Sequence, residues 1–375
     1  MTRTIVDLHV LQTVPPSNLN RDDTGSPKTA MYGGVRRARV SSQAWKRATR
    51  RDFAGHLDAS ELGTRTKRVV ELLGEKIVAL RPDTSVEDAQ KAAAEVLGAV
   101  GITVKEPRGA TKGTPAEAGY LVFLSAQQIA ALADVAVAAL DGGEKLDKKA
   151  AQALVKGKNS IDLALFGRMV ADVTDLNVDA ACQVAHALST HAVETEYDYF
   201  TAVDDHKAAD AEEDAGAGMI GTVEFNSSTL YRYATIDVDR LVDNLGDTEA
   251  ASRAVGAFLR AFTTSMPTGK QNTFANRTLP DAVVVSLRED QPVSYVGAFE
   301  EPVRELVEGG RVKRSAERLA AYAGEIGDAY GVAPVRSWVV GVGAAGAALE
   351  GLGDRTSFDG VVQALTAAVT ERTSA

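Results

Sequence analysis

The stretch from Thr24 to Arg51 carries positive side chains that could bind a polyanion. It holds eight lysines and arginines and no aspartate or glutamate, although the chain of 375 residues has a formal net charge of −10. A cationic block inside an acidic protein is typical of a groove that attracts nucleic acid. The alternative is a solvated helix face whose charges pair with acids elsewhere. The eight residues are Lys28, Arg36, Arg37, Arg39, Lys46, Arg47, Arg50 and Arg51.

Part of this stretch, QAWKRATRRDF, is expected to form a helix with Ser41 or Ser42 as its N-cap. On such a helix Gln43, Lys46 and Arg50 share one face because of their spacing. Trp45 falls on another side, where it is expected to be buried. Free backbone N–H groups and the helix dipole at the N-terminus would favour an anion. The sequence therefore predicts a phosphate-binding helix with one cationic edge.

Two further segments offer weaker cationic features. In LDKKAAQALVKGK, Lys149 and Lys156 fall on one helix face with Lys148 beside them, which is also the pattern of a plain surface helix. In LFGRMVAD, a helix broken by glycine could present Arg168 as a cation and Met169 as a flexible apolar wedge. The alternative is that Met169 belongs to the core.

Signatures of enzymes and metal sites are poor. Gly341, Gly343 and Gly346 spell a G-x-G-x-x-G motif, but no second parallel strand follows, so the βαβ context of a dinucleotide site is missing. Cys182 and His186 are expected to pack inside a helical block. His186 and His191 are five residues apart and do not share a helix face, so no zinc helix is expected. We expect neither a cofactor nor a metal.

The order of elements indicates an α+β protein. An N-terminal strand precedes a mostly helical block over residues 60–193, which closes with a helix over NVDAACQVAHALSTHAV. Two strands follow in TEYDYFTAV and IGTVEFNSSTLYRYATIDV. An acidic loop, Asp204–Gly218, lies between these strands. After it helices alternate with strands, and the first of these helices is expected from Arg240 to Ser265. A single cysteine and the lack of a signal peptide or membrane span suit the cytoplasm.

Several long motifs occur in order along the chain: PPSNLNRDDTGSPKTAMYGGVRRARVSSQAWKRATR, LFGRM, AHALSTH, YDYFTAVDD, GTVEFNSSTLYRYATIDV and GKQNTFA. In these motifs the chain resembles the CasC family, the crRNA-binding backbone subunits of the type I-E CRISPR surveillance complex Cascade. The resemblance implies an RRM-like (ferredoxin-like) palm with inserted helical fingers and an inserted β-hairpin thumb. On this sequence the palm covers residues 1–59, 181–194 and 233–375, the fingers cover 60–180, and the thumb covers 195–232.

The resemblance also implies roles for individual residues. Contacts to guide RNA are implied for Asn20, Arg21, Lys28, Arg39, Ser41, Ser42, Gln43, Lys46, Arg50, Arg168, Met169, Phe200, Thr201, Lys270 and Gln271. Contacts to DNA are implied for Lys148, Lys149 and Lys156. The chain departs from the family pattern at Val35, where a basic residue is expected, at Gln152, where a lysine is expected, and at Lys156, which is shifted by one position.

The function that the resemblance implies is a non-catalytic scaffold. Copies stack head-to-tail along one crRNA, each thumb displaces a nucleotide, and the segments between pair with target DNA. The implied partners are crRNA, target DNA, further copies of this chain, a small subunit, a large subunit, a 5′-handle cap and a crRNA-processing endonuclease. Two alternatives stay open: an endoribonuclease that uses Asp204 or Asp205 near the thumb, as related type III subunits do, and a dinucleotide-dependent enzyme.

Overall fold

The computed structural model of the chain describes residues 2–111, 113–142, 148–170, 173–202, 219–304 and 310–374. The chain forms two compact units. The first comprises Met1–Thr49, Val184–Thr235 and Leu259–Leu365, and the second comprises Arg50–Gln183, Ile236–Phe258 and Thr366–Ala375. The α+β class expected from the sequence is confirmed. The division into palm, fingers and thumb stays a prediction.

Helices and strands alternate along most of the chain. The strands are β1 (Ile5–Ser17), β2 (Thr29–Tyr32), β3 (Val35–Val40), β4 (Gly63–Thr66), β5 (Val104–Lys105), β6 (Glu117–Ala118), β7 (Val122–Ser125), β8 (Cys182–Val184), β9 (Ala187–Ser189), β10 (Glu196–Ala202), β11 (Met219–Asp237), β12 (Ala282–Arg288), β13 (Arg336–Gly341) and β14 (Asp354–Arg355). The helices are α1 (Ser42–Asp52), α2 (Val69–Leu80), α3 (Val86–Val100), α4 (Ala126–Leu140), α5 (Lys148–Lys156), α6 (Ile161–Phe166), α7 (Val238–Leu245), α8 (Thr248–Thr264), α9 (Gln271–Phe274), α10 (Gly310–Tyr330), α11 (Gly343–Ala348) and α12 (Phe358–Ser374). No helix of the described residues is long and apolar enough to cross a membrane.

Strand β1 lies inside the sheet of the first unit, whose order is β14-β13-β12-β1-β11-β9-β3-β2. The apolar alternation in the N-terminal sequence predicted this strand, yet its polar residues Asp7 and His9 are buried as well. The Asp7 carboxylate accepts a hydrogen bond from Arg288 Nε at 2.8 Å and another from the Tyr233 hydroxyl at 2.8 Å. Buried polar groups persist only when they are bonded in this way.

His9 lies among aromatic side chains. Its ring centroid is 4.3 Å from that of Tyr295 and 5.2 Å from that of Tyr233, and its Nδ1 atom lies 2.9 Å from the Tyr231 hydroxyl oxygen. Burial, and then the charge of Arg288, lowers the pKa of His9 to about 3. The imidazole is therefore neutral inside the fold at neutral pH.

The neutral state of His9 predicts a pH-dependent stability. Because its folded-state pKa is lowered from 6.5, its contribution is present above pH 6.5 and is lost as the pH falls toward 3. The loss should be about 1.4 kcal/mol per pH unit in this window. Urea unfolding at about pH 7 and about pH 4.5 should therefore show a larger loss in the wild type than in His9→Phe, which keeps the ring but cannot titrate. Equal losses would contradict this account of His9.

A glycine hairpin joins β2 to β3. Gly33 and Gly34 both have positive φ angles, of 59° and 76°, as a tight two-residue turn requires. A side chain on Gly33 would overlap the carbonyl of Glu300. Beside this turn the Arg37 side chain is fully buried, and its Nη1 and Nη2 donate to the carbonyls of Ser189 and Phe299 at 3.0 and 2.8 Å. Arg37 thus holds the hairpin in place and does not belong to an exposed cationic surface.

The predicted helical block is interrupted by strands. Val122–Ser125 is strand β7, which pairs with β4, and Ser125 then caps α4 by accepting a hydrogen bond from the Gln128 backbone. The helix expected over NVDAACQVAHALSTHAV is wrong, since β8 and β9 occupy that segment. Ala187 and Leu188 pair with β3, and Leu188 and Ser189 pair with β11, so tertiary pairing overrides the helical propensity of the alanines.

The remaining elements largely follow the sequence. Strands β10 and β11 form the expected antiparallel pair, while Asp204–Gly218 lies outside the described residues. The single helix expected from Arg240 to Ser265 is two helices, because Gly246 ends α7 in the left-handed conformation.

The glycine motif near the C-terminus serves close packing. β13 ends at Gly341, and the following helix α11 has only 6 residues. A side chain on Gly341 would overlap the backbone of Gly346. β13 is antiparallel to β12, but it also has a parallel neighbour, the two-residue strand β14, which sequence reasoning did not find. A long βαβ unit, which a dinucleotide site requires, does not follow β13.

Candidate nucleic-acid interface

Helix α1 begins where four sequence-predicted residues meet. Asn20 Oδ1 accepts a hydrogen bond from the Ser41 backbone N–H at 2.8 Å. The hydroxyl of Ser41 accepts from the Gln43 backbone N–H at 3.2 Å, which identifies Ser41 as the N-cap. The Ser42 backbone N–H donates to Nδ1 of His186 at 3.2 Å. Asn20 and His186 thus anchor the start of this helix.

These bonds correct one expectation about α1. The sequence predicted backbone N–H groups at its N-terminus that were free for a phosphate. Instead the Ser41, Ser42 and Gln43 N–H groups already donate to protein acceptors. Affinity for an anion at this place must therefore come from side chains.

Two cationic side chains lie next to the start of α1. Lys28 and Arg39 are half-buried and line a small pocket together with Asn20. Arg39 Nε donates to the Thr29 carbonyl at 3.2 Å, and its Nη1 lies 3.5 Å from His186 Nδ1. Neither Lys28 nor Arg39 forms a salt bridge within the part of the chain that the structure describes. We call Lys28, Arg39 and His186 the basic cluster.

Helix α1 itself is oriented by one buried aromatic side chain. Trp45 is fully buried, as the sequence predicted, and the Arg232 guanidinium carbon lies 3.7 Å from its ring centroid. With Trp45 inward, Gln43 is exposed while Lys46 and Arg50 are half-buried. The guanidinium carbon of Arg50 lies 5.3 Å from the ring centroid of Phe123. The helix therefore keeps one cationic edge, as its spacing predicted.

Further predicted residues lie in loops of the first unit. Arg21 is exposed and forms an isolated bridge with Pro27. Lys270 has a positive φ of 50°, and Gln271 begins α9. A side chain on Gly269 would overlap the Leu19 carbonyl, so the turn that carries Lys270 lies against the loop that carries Asn20 and Arg21.

Arg168 and Met169 have opposite environments. Arg168 is only 6% exposed, and its guanidinium donates to the carbonyls of Leu176 at 2.7 Å and Val155 at 2.9 Å. The expectation that it presents a surface cation is wrong, because these backbone acceptors enclose it. Met169 is 86% exposed, so the core alternative for Met169 is wrong and the apolar wedge remains available. Arg168 supports the loop that exposes Met169.

Phe200 and Thr201 lie on β10 of the β10–β11 hairpin and are exposed. Phe200 is opposite Gly221 in the antiparallel register, and its ring lies directly over that glycine. Tyr197 and Tyr199 on the same strand are also exposed. The hairpin thus offers aromatic surface to a partner.

The lysines of helix α5 face solvent. Lys148, Lys149 and Lys156 are exposed, and Lys156 Nζ lies 3.4 Å from an Asp175 carboxylate oxygen. Gln152, which replaces an expected lysine, donates to the Val100 carbonyl at 3.3 Å. This position therefore has a packing role in the helical part of the second unit.

His186 is the functional candidate that sequence reasoning missed. It was assigned to a helical interior, whereas it is exposed between β8 and β9 beside Lys28 and Arg39. Its place in the AHALSTH motif was the available signal. Among the described residues, no group of three or more histidines, cysteines or acids is arranged to hold a metal ion.

Comparisons with known proteins agree on one kind of relative. The family model of CT1975-like proteins matches residues 6–364. A chain of a solved "CRISPR RNA-guided surveillance complex, pre-nicking" is 35% identical, with a TM-score of 0.84 over 97% of this chain and 100% of that chain. A chain of another "CRISPR RNA-guided surveillance complex" is 29% identical, with a TM-score of 0.72 over 97% and 99% of the two chains. No curated protein matches.

Proposed function

Since the chain belongs to the CT1975-like family and is CasC-like, we propose that it is a backbone subunit of a Cascade-type CRISPR surveillance complex. In this role it binds crRNA and presents it for pairing with target DNA, and it carries out no chemical step. Sequence recognition is left to base pairing, so the protein needs contacts to backbone and shape.

The observation that carries this proposal is the cationic edge of the first unit. Lys28 and Arg39 lie beside the start of α1, and Lys46 lies one turn further along that helix. Asn20 and Ser41 are committed to backbone bonds, so we assign them to shaping this edge, while the cations supply the affinity.

We also propose a role for each part of the fold. We assign the sheet of the first unit to an RRM-like palm, the helices within residues 60–180 to fingers, and the β10–β11 hairpin to a thumb. Met169 and Phe200 are exposed, and each by itself suits an apolar wedge at a displaced nucleotide, because apolar side chains that insert between bases unstack them. The exposed lysines of α5 suit contact with target DNA.

We propose that copies of the chain assemble head-to-tail on one RNA. Co-expression of the chain with a guide RNA, followed by purification and electron microscopy, tests this. The expected result is an RNA-containing filament that ribonuclease dissociates, and a complementary RNA added to it stays intact. Monomers without RNA would contradict the scaffold. Cleavage of the complementary RNA that Asp205→Ala abolishes would contradict its non-catalytic character.

A further inference from the structure

We infer that His186 binds the guide RNA directly, with its Nε2–H group donating to a phosphate oxygen beside Lys28 and Arg39. The inference rests on the proposed function and assigns an RNA contact to the neutral member of the basic cluster. Sequence reasoning assigned this residue to a helical interior, and no RNA-binding role was expected of it.

The Nδ1 atom of the His186 ring lies next to two hydrogen-bond donors. This atom lies 3.2 Å from the Ser42 backbone nitrogen, whose N–H group donates to it, and 3.5 Å from Arg39 Nη1. Both neighbours are donors, so Nδ1 must be the acceptor nitrogen of the ring. A neutral imidazole with an acceptor at Nδ1 carries its proton at Nε2.

The charge of the His186 ring is set by its surroundings. Partial loss of solvent lowers the pKa of His186 below its usual 6.5, and the positive charges of Arg39 and Lys28 lower it further. The ring is therefore neutral at neutral pH, and the Ser42 bond that fixes its tautomer persists. His186 enters the interface as an oriented neutral donor.

The other nitrogen of the His186 ring, Nε2, is available to a ligand. His186 is exposed, and no described residue forms a hydrogen bond with Nε2. The nearby ammonium of Lys28 and guanidinium of Arg39 create a positive potential. An oxygen acceptor with negative charge, which in RNA is the phosphate, is the ligand that this arrangement favours over a 2′-hydroxyl.

The two nitrogens can be separated by substitution. In His186→Asn the amide oxygen stands near the position of Nδ1 and can still accept from Ser42, while the distal donor is lost. In His186→Gln the amide nitrogen reaches toward the position of Nε2 and supplies the donor. His186→Ala removes both groups. His56→Asn changes a histidine of the second unit and serves as a matched control.

Fluorescence anisotropy of a labelled single-stranded RNA with the full chain gives the readout. We expect His186→Gln to bind within about threefold of the wild type and His186→Asn and His186→Ala to bind about tenfold more weakly. The slope of log affinity against log salt should stay unchanged in all three, because a neutral group neutralises no phosphate. Thermal unfolding of each variant checks that the fold persists.

The RNA affinities of His186→Asn and His186→Gln, compared with each other, test the inference. If His186→Asn binds RNA as well as His186→Gln or better, His186 only caps α1 and the inference is overturned. The same comparison on a 2′-deoxy strand should show the same loss for His186→Asn, and a loss confined to RNA would overturn the phosphate assignment. Failure of the wild type to bind either strand would instead contradict the proposed function itself.

Discussion

Replacing Lys46 and Arg50 together by glutamine is expected to weaken RNA binding about 30- to 100-fold at low salt. Two charge-assisted contacts to phosphates account for this loss. Each phosphate contact on a single strand contributes ~0.7 to the slope of log affinity against log salt, so the slope should fall by ~1.4. The reduced slope distinguishes lost phosphate contacts from a general loss of folding.

Glutamine is the suitable replacement because of what Arg50 contacts. Its guanidinium lies over the Phe123 ring, which the stem of a glutamine side chain can still partly cover. An alanine would leave that ring uncovered and confuse loss of stability with loss of binding.

Anisotropy titrations over a range of salt concentrations measure both quantities. The matched control is Lys76→Gln with Lys91→Gln, which removes the same charge from exposed positions of α2 and α3. The control should bind RNA within about threefold of the wild type. If the control pair loses as much affinity and slope as the α1 pair, the RNA does not follow α1.

The largest effect on stability is expected at Arg288. Its guanidinium donates to Asp7 at 2.8 Å and to the Tyr295 hydroxyl at 2.5 Å, and Arg288 and Asp7 are both 0% exposed. Arg288→Ala leaves the Asp7 carboxyl buried without its cation and opens a cavity. We expect the free energy of unfolding to fall by about 3–5 kcal/mol.

The double variant Asp7→Asn with Arg288→Met separates charge from packing. Asparagine can still accept from the Tyr233 hydroxyl, and methionine fills part of the space of the arginine. Urea unfolding should show that the double variant recovers more than half of the loss, because no carboxyl is left without a partner. A double variant as unstable as Arg288→Ala would show that packing dominates at this position.

Helix α1 shows how far local sequence reaches. Its N-cap serine, its buried Trp45 and its cationic edge were all predicted, because capping and helical periodicity depend on residues within a few positions of each other. The prediction that its first N–H groups are free was wrong. Asn20 and His186, which accept from them, are distant in sequence, and only folding brings them to the helix.

The arginines show the same division. Arg37, Arg39, Arg168 and Arg232 look alike in the sequence, yet three are buried against backbone carbonyls or aromatic rings and only Arg39 remains partly open to solvent. Whether a cation is available to a partner depends on the segments that pack over it, which carry no local signal. The prediction for Arg168 was wrong for this reason.

The sequence by itself therefore determined the α+β class, most of the helices, the strands β1, β10, β11, β12 and β13, the family resemblance and the position of the cationic block. These depend on periodicity, turn residues and charge, which are properties of short segments. Tertiary structure alone decided that Ala187–Ser189 is a strand, that Met169 is exposed while Arg168 is buried, and that His186 lies beside Lys28 and Arg39. The physical reason is that strand pairing and burial depend on partners far along the chain, whose approach no local pattern records.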